Sequence, residues 1–196
     1  ITHAPIRYIG FPLSVSETFQ QRNTNKSIGQ AFGEVKIMQN LCVGAGRELV
    51  VYLSMAFGNP YGDPYSPEIV AQFSERLVQM GVRIIAPSDT VGTSTPDAIE
   101  SLFRPLIGQF PPVEFGAHLH TRPGETAGKV RAAVRAGVRR IDGALRGFGG
   151  CPMATDELTG NLPTEEIIHT LVREGLAPSI YQEAFQKAMT LSAGVF

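Results

Sequence analysis

The run Glu114-Phe-Gly-Ala-His-Leu-His-Thr121 has the residue pattern of a β-strand that is buried on one face. In a strand, side chains two residues apart point to the same side of the sheet, so His118 and His120 project together. The apolar residues that point the other way, toward a core, are Phe115, Ala117 and Leu119. Because neutral imidazole is a common ligand of divalent metals, the pair indicates half of a metal site. The alternative is two partly exposed histidines at the end of a strand.

Strand-like and helix-like segments alternate on both sides of this run. The other predicted strands are Ile6–Phe11, Leu49–Phe57, Ile84–Val91 and Arg140–Leu145. The predicted helices are Ser27–Val43, Ser66–Gly81, Thr95–Phe110, Glu125–Ala136, Thr164–Gly175 and Ile180–Ala193. Ser66-Pro67-Glu68 and Thr95-Pro96-Asp97 are typical helix starts, each with a capping hydroxyl, a proline at the first helical position and an acid in the first turn. The segments Ser14–Lys26 and Gly147–Leu162 carry no predicted element.

This alternation predicts an α/β fold with a parallel sheet covered by helices, either an open doubly wound sheet or a (β/α)8 barrel. The first predicted strand ends in Ile9-Gly10-Phe11-Pro12, which lacks the glycine spacing of nucleotide-binding open sheets. Polar residues instead follow several strands, where barrel enzymes place their catalytic groups. Residues 1–196 are therefore expected to form a single, incomplete domain, a partial (β/α)8 TIM barrel with about five of the eight parallel strands. The other N-terminal strands are expected before Ile1.

The composition restricts the class of protein. Of the 196 residues, 43% are hydrophobic and 18% are charged, which fits a soluble globular chain rather than a disordered one. The net charge of −1 argues against a broad nucleic-acid surface. No apolar run approaches the roughly 20 residues of a membrane span. The two cysteines, Cys42 and Cys151, form no disulfide framework, which favours a reducing, cytoplasmic compartment.

Three further polar positions lie in or beside predicted loops. Asp89 ends a strand in Asp89-Thr90-Val91-Gly92 and is either a functional carboxylate or a cap for the next turn. Cys151 lies in the glycine-rich run Gly147-Phe-Gly-Gly-Cys-Pro152 and is either a reactive thiol or a small residue at a tight turn. Asn161 is either an oxygen ligand or a turn residue. Together on one rim, these side chains predict a metal site with an acid–base group beside it.

At these positions the chain resembles the 3-hydroxy-3-methylglutaryl-CoA (HMG-CoA) lyase family, within a superfamily of metal-dependent lyase and Claisen-type synthase barrels. The matching runs are Gly58-Asn-Pro-Tyr61, Gly81 through Gly92, His118-Leu-His120, Gly149-Gly-Cys-Pro-Met-Ala154 and Gly160-Asn-Leu-Pro-Thr-Glu165. The histidine pair is shared by the whole superfamily. The Gly-Gly-Cys-Pro loop distinguishes the lyases from relatives that make isopropylmalate or homocitrate. The likeness begins near Tyr8, extends to the C-terminus and corresponds to the C-terminal two-thirds of the family's barrel.

The resemblance implies a set of site residues and a reaction. The implied cation ligands are His118, His120 and Asn161. Mg²⁺ or Mn²⁺ is favoured over Zn²⁺, because amide oxygen and water would complete the coordination. Cys151 is implied to be a catalytic thiol on a mobile loop, Asp89 an active-site carboxylate and Thr90 a substrate contact. The implied reaction cleaves HMG-CoA, an acyl-CoA, to acetyl-CoA and acetoacetate, as in leucine degradation and ketone-body formation, and a homodimer is expected.

The family pattern also includes an Arg-Glu pair beside a metal-ligating Asp at the end of the first barrel strand, and residues 1–196 contain no such motif. We therefore expect these residues alone to be inactive as a lyase and to self-associate through two unpaired strand edges. Two rival functions stay open. One is a related aldolase or Claisen-type synthase acting on another acyl-CoA or 2-oxo acid, and the other is a partial barrel that binds a partner without catalysis.

Overall fold

A computed structural model of the protein describes residues 6–150, 159–176 and 178–195. Cys151 lies outside these ranges. Within them, the six strands are β1 (Tyr8–Ser14), β2 (Glu48–Ser54), β3 (Ile84–Asp89), β4 (Glu114–Thr121), β5 (Arg140–Ile141) and β6 (Gly160–Asn161). The seven α-helices of the same ranges are α1 (Glu17–Thr24), α2 (Ile28–Gly44), α3 (Pro67–Gln79), α4 (Pro96–Gln109), α5 (Thr126–Arg135), α6 (Thr164–Arg173) and α7 (Gln182–Ser192).

The strands form one sheet in the order β1-β2-β3-β4-β5, and every neighbouring pair in that order is parallel. Helices connect these strands, as parallel pairs require, so the predicted α/β fold is confirmed. The short strand β6 is antiparallel to β4 and pairs Asn161 with His120. This pairing joins the loop before α6 to the C-terminal end of β4.

The two faces of the sheet are buried in different ways. The outer face packs against the helices and forms the main core, which includes Val51, Leu53, Ile85, Phe103, Phe115, Ala117 and Leu119. The inner face carries a smaller apolar cluster of Val50, Ile84 and Ala86, with Tyr52 beside it. Because strand side chains alternate, the histidines of β4 share the inner face while the apolar residues between them enter the main core.

The predicted helix starts are confirmed at two positions. Ser66 accepts a hydrogen bond from the amide of Ile69, with Pro67 at the first position of α3. Thr95 caps α4 in the same way, ahead of Pro96. Each capping side chain satisfies an amide that the first helical turn leaves without a helical partner.

Helix α1 was not predicted, because its sequence is polar and carries little apolar periodicity. It forms because Ser16 caps its first turn and because the Asp63 carboxylate, from the loop after β2, accepts hydrogen bonds from Ser16 and Thr18. Phe19 packs into the core beneath it. A long-range contact thus supplies what the local pattern lacks.

Several predicted boundaries differ from the observed ones, most clearly those of β5 and β1. Strand β5 ends at Ile141 rather than Leu145, and the backbone at Gly143 packs so closely against α6 that a Cβ there would lie 2.6 Å from Cδ1 of Ile167. The first strand covers Tyr8–Ser14, not Ile6–Phe11. The predicted start of α6 at Thr164 is confirmed, although no side-chain hydrogen bond caps that helix.

No helix within the described ranges combines the length and the apolar character that crossing a bilayer requires.

Candidate functional site

A pocket of about 280 Å³ opens on the inner face of the sheet, toward the C-terminal ends of β1 to β4. It is lined by Gly10, Phe11, Pro12, Tyr52, Ser54, Ser88, Thr90, His118 and His120. Three of the sequence-predicted site residues, Thr90 and the two histidines, therefore meet in one place. A larger cavity of about 580 Å³ lies at the opposite end of β2, against Arg47 and Arg83, and none of the predicted site residues lines it.

His118 is oriented by a carboxylate. Its Nδ1 lies 3.2 Å from Oδ2 of Asp142, which directly follows β5, and its ring stands edge-on to Tyr52 at 5.3 Å between centroids. A carboxylate only accepts, so Nδ1 is the nitrogen that donates in this contact. Burial, together with the Asp142 carboxylate, raises the pKa of Tyr52, whose phenol therefore stays protonated near neutral pH.

His120 is oriented by the backbone. Its Nδ1 lies 2.9 Å from the carbonyl oxygen of Thr90, so Nδ1 donates and Nε2 is the nitrogen with a lone pair. The residue is 6% exposed, and its ring centroid lies 5.6 Å from that of His118. Burial lowers the pKa of His120, although the bonds to Thr90 and Asn161 oppose the shift. The neutral imidazole that a metal requires is therefore the favoured form.

Asn161 is brought to this pair by β6. Its backbone is in register with His120, and its Nδ2 donates to the carbonyl of Phe148 at 2.9 Å. With the amide nitrogen engaged there, the amide oxygen is the group available on the His120 side, where Asn161 hydrogen bonding raises the pKa of that histidine. The three ligands predicted from the resemblance thus lie together at the end of β4.

These donors fit a divalent cation of the Mg²⁺ or Mn²⁺ class. Two imidazole nitrogens and one amide oxygen are a mixed donor set, and oxygen ligands or water would complete the shell. Among residues 6–150, 159–176 and 178–195, no group of three or more His, Cys, Asp or Glu side chains is arranged to hold a metal ion. A cation held here would therefore need the amide of Asn161 and further oxygen donors.

Asp89 lies on the outer side of the same strand end and does not line the pocket. Its buried carboxylate accepts hydrogen bonds from the amides of Thr93 and Ser94, from the Ser94 hydroxyl at 2.5 Å, and from Nζ of Lys129 at 3.0 Å. These contacts anchor the turn between β3 and α4. A catalytic role for Asp89 stays a prediction, and the geometry supports a role in ordering the site.

Thr90 connects the ends of three strands. Its hydroxyl accepts the amide of Met55, just after β2, at 2.7 Å, and its carbonyl accepts Nδ1 of His120. Met55 has a φ of 60°, which is unusual for a residue with a side chain and is typical of functional sites. The predicted substrate contact at Thr90 is untested, but the residue lines the pocket.

Of the two cysteines, the structure describes Cys42 only. Cys151 lies outside the described ranges, so its catalytic role stays a prediction; the glycines before it pack against β6, where Gly149 accepts the amide of Asn161. Cys42 is fully buried in α2, and burial raises the pKa of its thiol.

Sequence reasoning missed Tyr52, Asp142 and Lys129. Asp142 carried a usable signal, because an acid directly after a barrel strand lies on the catalytic rim. Lys129 also carried one, since it interrupts the buried face of α5 formed by Thr126, Val130 and Ala133. A charged residue on such a face requires a buried partner.

Comparison with known proteins gives matches over most of the chain. The family model described as HMGL-like matches residues 2–192. The hydroxymethylglutaryl-CoA lyase of Bacillus subtilis is 30% identical over 176 residues, which are 90% of this chain and 58% of that protein. The chain spans about half to three-fifths of the length of the curated relatives that it matches.

Solved structures of HMG-CoA lyases match the fold closely. The crystal structure of the B. subtilis lyase has a TM-score of 0.81 at 30% identity and covers 89% of this chain and 58% of that one. An HMG-CoA lyase from Acinetobacter baumannii, in complex with coenzyme A and 3-methylmalate, has a TM-score of 0.84 at 26% identity and covers 95% of this chain and 61% of that one. These matches confirm the expected fold, in which the five parallel strands correspond to part of the barrel of HMG-CoA lyases.

Proposed function

The chain belongs to the HMGL-like family, and on that premise we propose that it acts as a hydroxymethylglutaryl-CoA lyase, a carbon–carbon lyase that cleaves HMG-CoA to acetyl-CoA and acetoacetate. The observation that carries the proposal is the histidine pair of β4. Both rings line one pocket, both use Nδ1 for a bond to the protein, and Asn161 lies next to His120 through β6, so that Nε2 of each ring is the nitrogen that those Nδ1 bonds do not use. This arrangement is typical of metal-binding histidines.

His118, His120 and Asn161 would hold one Mg²⁺ or Mn²⁺ ion. When bound, such a cation supplies Lewis acidity, which orients the tertiary hydroxyl and carboxylate oxygens of the substrate and lowers the pKa of that hydroxyl. The protein's part is to orient both imidazoles. Hydrogen bonds from Nδ1 to Asp142 and to the Thr90 carbonyl fix the required tautomer of each ring.

The remaining chemistry requires a base and an acid. A base removes the proton of the C3 hydroxyl, the C3–O bond becomes a ketone, and the C2–C3 bond breaks, with its electron pair passing to the enolate of acetyl-CoA. We assign to the Cys151 thiol the proton that this carbon then receives, because a thiol with an ordinary pKa near 8.5 is protonated at pH 7. Asp89 orders the turn that carries Thr90 rather than contacting the pocket itself.

An acyl-CoA is the proposed substrate class. The solved A. baumannii lyase is a complex with coenzyme A, and the pocket here opens at the same C-terminal ends of the strands where barrel enzymes bind ligands. Thr90 lines that pocket, and its hydroxyl, which accepts the Met55 amide, still has its own proton to donate to a carboxylate or thioester oxygen. A cytoplasmic location and a homodimer are further parts of the proposal.

The direct test is release of acetoacetate from HMG-CoA by the native protein that contains residues 1–196, with Mg²⁺ or Mn²⁺ present. The His118→Ala variant should lose turnover and Mn²⁺ binding by calorimetry, whereas His169→Ala, at an exposed histidine of α6, should keep both. Acetyl-CoA with 2-oxo acids is assayed in parallel. Turnover with those substrates but not with HMG-CoA would replace the lyase with a Claisen-type synthase. Mn²⁺ binding that is equal in wild type and His118→Ala would contradict the proposed metal site.

The proposed acid is tested by alkylation. Iodoacetamide should modify Cys151 and abolish turnover, and substrate should slow the modification. Cys42 provides an internal control, because it is buried and its thiol pKa is raised. Normal activity in Cys151→Ala would rule out the proton-donor role.

A further inference from the structure

We propose that Lys129 is a positioning residue that holds His120 in the orientation required of a ligand. The inference rests on the proposed metal site at His118, His120 and Asn161. It concerns a side chain on the outer side of the sheet, which does not enter the pocket.

The surroundings of Lys129 are unusual for a lysine. Its side chain is 3% exposed on α5, and Asp89 is the carboxylate paired with it. Nζ lies 2.7 Å from the carbonyl oxygen of His120, 3.0 Å from Oδ2 of Asp89 and 3.3 Å from the carbonyl oxygen of Gly92. An ammonium group has three N–H donors, so each has one acceptor.

These acceptors lie around the hydrogen bond that orients the His120 ring. Asp89 and Gly92 lie on either side of Thr90 in the chain, and the Thr90 carbonyl accepts Nδ1 of His120 at 2.9 Å. Lys129 therefore contacts both sides of this hydrogen bond. It binds the backbone carbonyl of His120, whose ring donates, and it binds Asp89 and Gly92 of the turn that carries the accepting Thr90 carbonyl. Its loss would free the end of β4 from the turn after β3.

His118 provides a comparison within the same strand. Its Nδ1 is held by the side chain of Asp142, at the end of β5, and not by the turn that Lys129 binds. The proposal therefore predicts a selective effect, in which removing Lys129 disturbs His120 and leaves His118 in place.

A purely structural role is the competing explanation, and stability alone does not separate the two. Breaking a buried ion pair destabilises a protein in either case, because a charge is left without its partner. The discriminating readouts are the tautomer of each histidine and the affinity for Mn²⁺, compared with a variant that is destabilised in another way.

Lys129→Met removes the ammonium and keeps much of the side-chain volume. Val130→Ala is the matched control, since Val130 is the next residue of α5, is fully buried, and would leave only a cavity. The double variant Asp89→Asn/Lys129→Met removes both buried charges. It replaces Lys129→Met in the same measurements if that single variant does not fold. The ¹⁵N shifts of the imidazoles, assigned with single histidine substitutions, report the tautomers in the metal-free protein, and calorimetry with Mn²⁺ reports affinity.

Lys129→Met is expected to mix the tautomers of His120, to leave His118 unchanged and to weaken Mn²⁺ binding about 10- to 100-fold. Val130→Ala should keep wild-type tautomers and affinity. Wild-type tautomers and affinity in the lysine variants would overturn the inference, and so would an equal loss in Val130→Ala. If the wild type binds no Mn²⁺ while His120 still depends on Lys129, the metal site fails and the positioning role stands.

Discussion

The two faces of the sheet differ most at the ends of β3 and β4. On the outer face, Asp89 and Lys129 are buried, and their charged groups are satisfied by each other and by neighbouring amides, hydroxyls and carbonyls. On the inner face, His118 and His120 line the pocket, and each uses Nδ1 for a hydrogen bond to the protein. The charged groups of the outer face have partners within the protein, whereas the inner face lines a pocket. The two sets of side chains nevertheless alternate along the same strands.

This difference shows how the site can be rigid without being filled. Binding groups must be held in place before a ligand arrives, or the ligand pays the cost of ordering them. Here the outer network holds the backbone at Thr90 and His120, while the inner face keeps its donors available. Loss of an outer-face group should therefore lower stability, and at Lys129 also affinity through His120, whereas loss of an inner-face group should lower ligand affinity with little change in stability.

The strongest test of this division is Asp89→Ala. The change leaves the Lys129 ammonium buried without a carboxylate, so the free energy of unfolding should fall by about 3–5 kcal/mol, measured by urea denaturation. Asp97→Ala, in the exposed first turn of α4, is the control and should cost about 1 kcal/mol or less. Similar small losses in both variants would mean that the outer network is not a stability element.

Gly92→Ala tests the turn to which Lys129 binds. Gly92 has a φ of +74°, and a Cβ there would lie 2.5 Å from Cγ2 of Thr159, next to β6. We expect a loss of about 1–3 kcal/mol in unfolding free energy. Gly108→Ala, on an open helical position of α4, should instead stabilise by about 0.4–1 kcal/mol. If thermal melts show that Gly92→Ala and Gly108→Ala change stability in the same direction, the strain at Gly92 is contradicted.

Asp142→Ala tests the inner face. His118 would lose the acceptor that fixes its tautomer, so Mn²⁺ affinity should fall about tenfold. Stability should change little, because Asp142 and His118 are both partly exposed and such pairs contribute about 1 kcal/mol or less. Glu114→Ala removes a carboxylate that pairs with Arg140 at the other end of β4, and it should leave affinity unchanged. A large loss of stability without a loss of affinity in Asp142→Ala would reverse the assignment of the two faces.

The smallest effect is expected at Asp63, a partly exposed carboxylate with hydrogen-bond partners. Hydrogen bonds from the Ser16 hydroxyl and the Thr18 amide lower its pKa. Its stabilisation is therefore present above the unfolded pKa, near 3.9, and is lost as the pH falls through the lower pKa of the folded state. Asp63→Asn should reduce stability at neutral pH and flatten the acid side of the profile. An unchanged profile in acid denaturation would show that Asp63 does not contribute.

Local sequence pattern was sufficient for the order of elements and for part of the site. Strand and helix periodicities are properties of neighbouring residues, so β3, β4, α3 and α4 were predictable, together with the caps at Ser66 and Thr95. The common face of His118 and His120 followed from a strand repeat of two. The family resemblance then supplied Asn161, which spacing alone left open between a ligand and a turn residue.

Only the tertiary structure decided which groups support that site. Asp142 lies 24 residues from His118, and Lys129 lies 40 residues from Asp89, so no local repeat links either pair. Strand β6 and helix α1 are also defined by distant partners, His120 in one case and Asp63 in the other. The face on which Asp89 lies depends on how β3 pairs with β4, since Ser88 is opposite His118 and Asp89 is opposite Leu119. A sequence places a side chain along its strand, but the register between strands determines what it contacts.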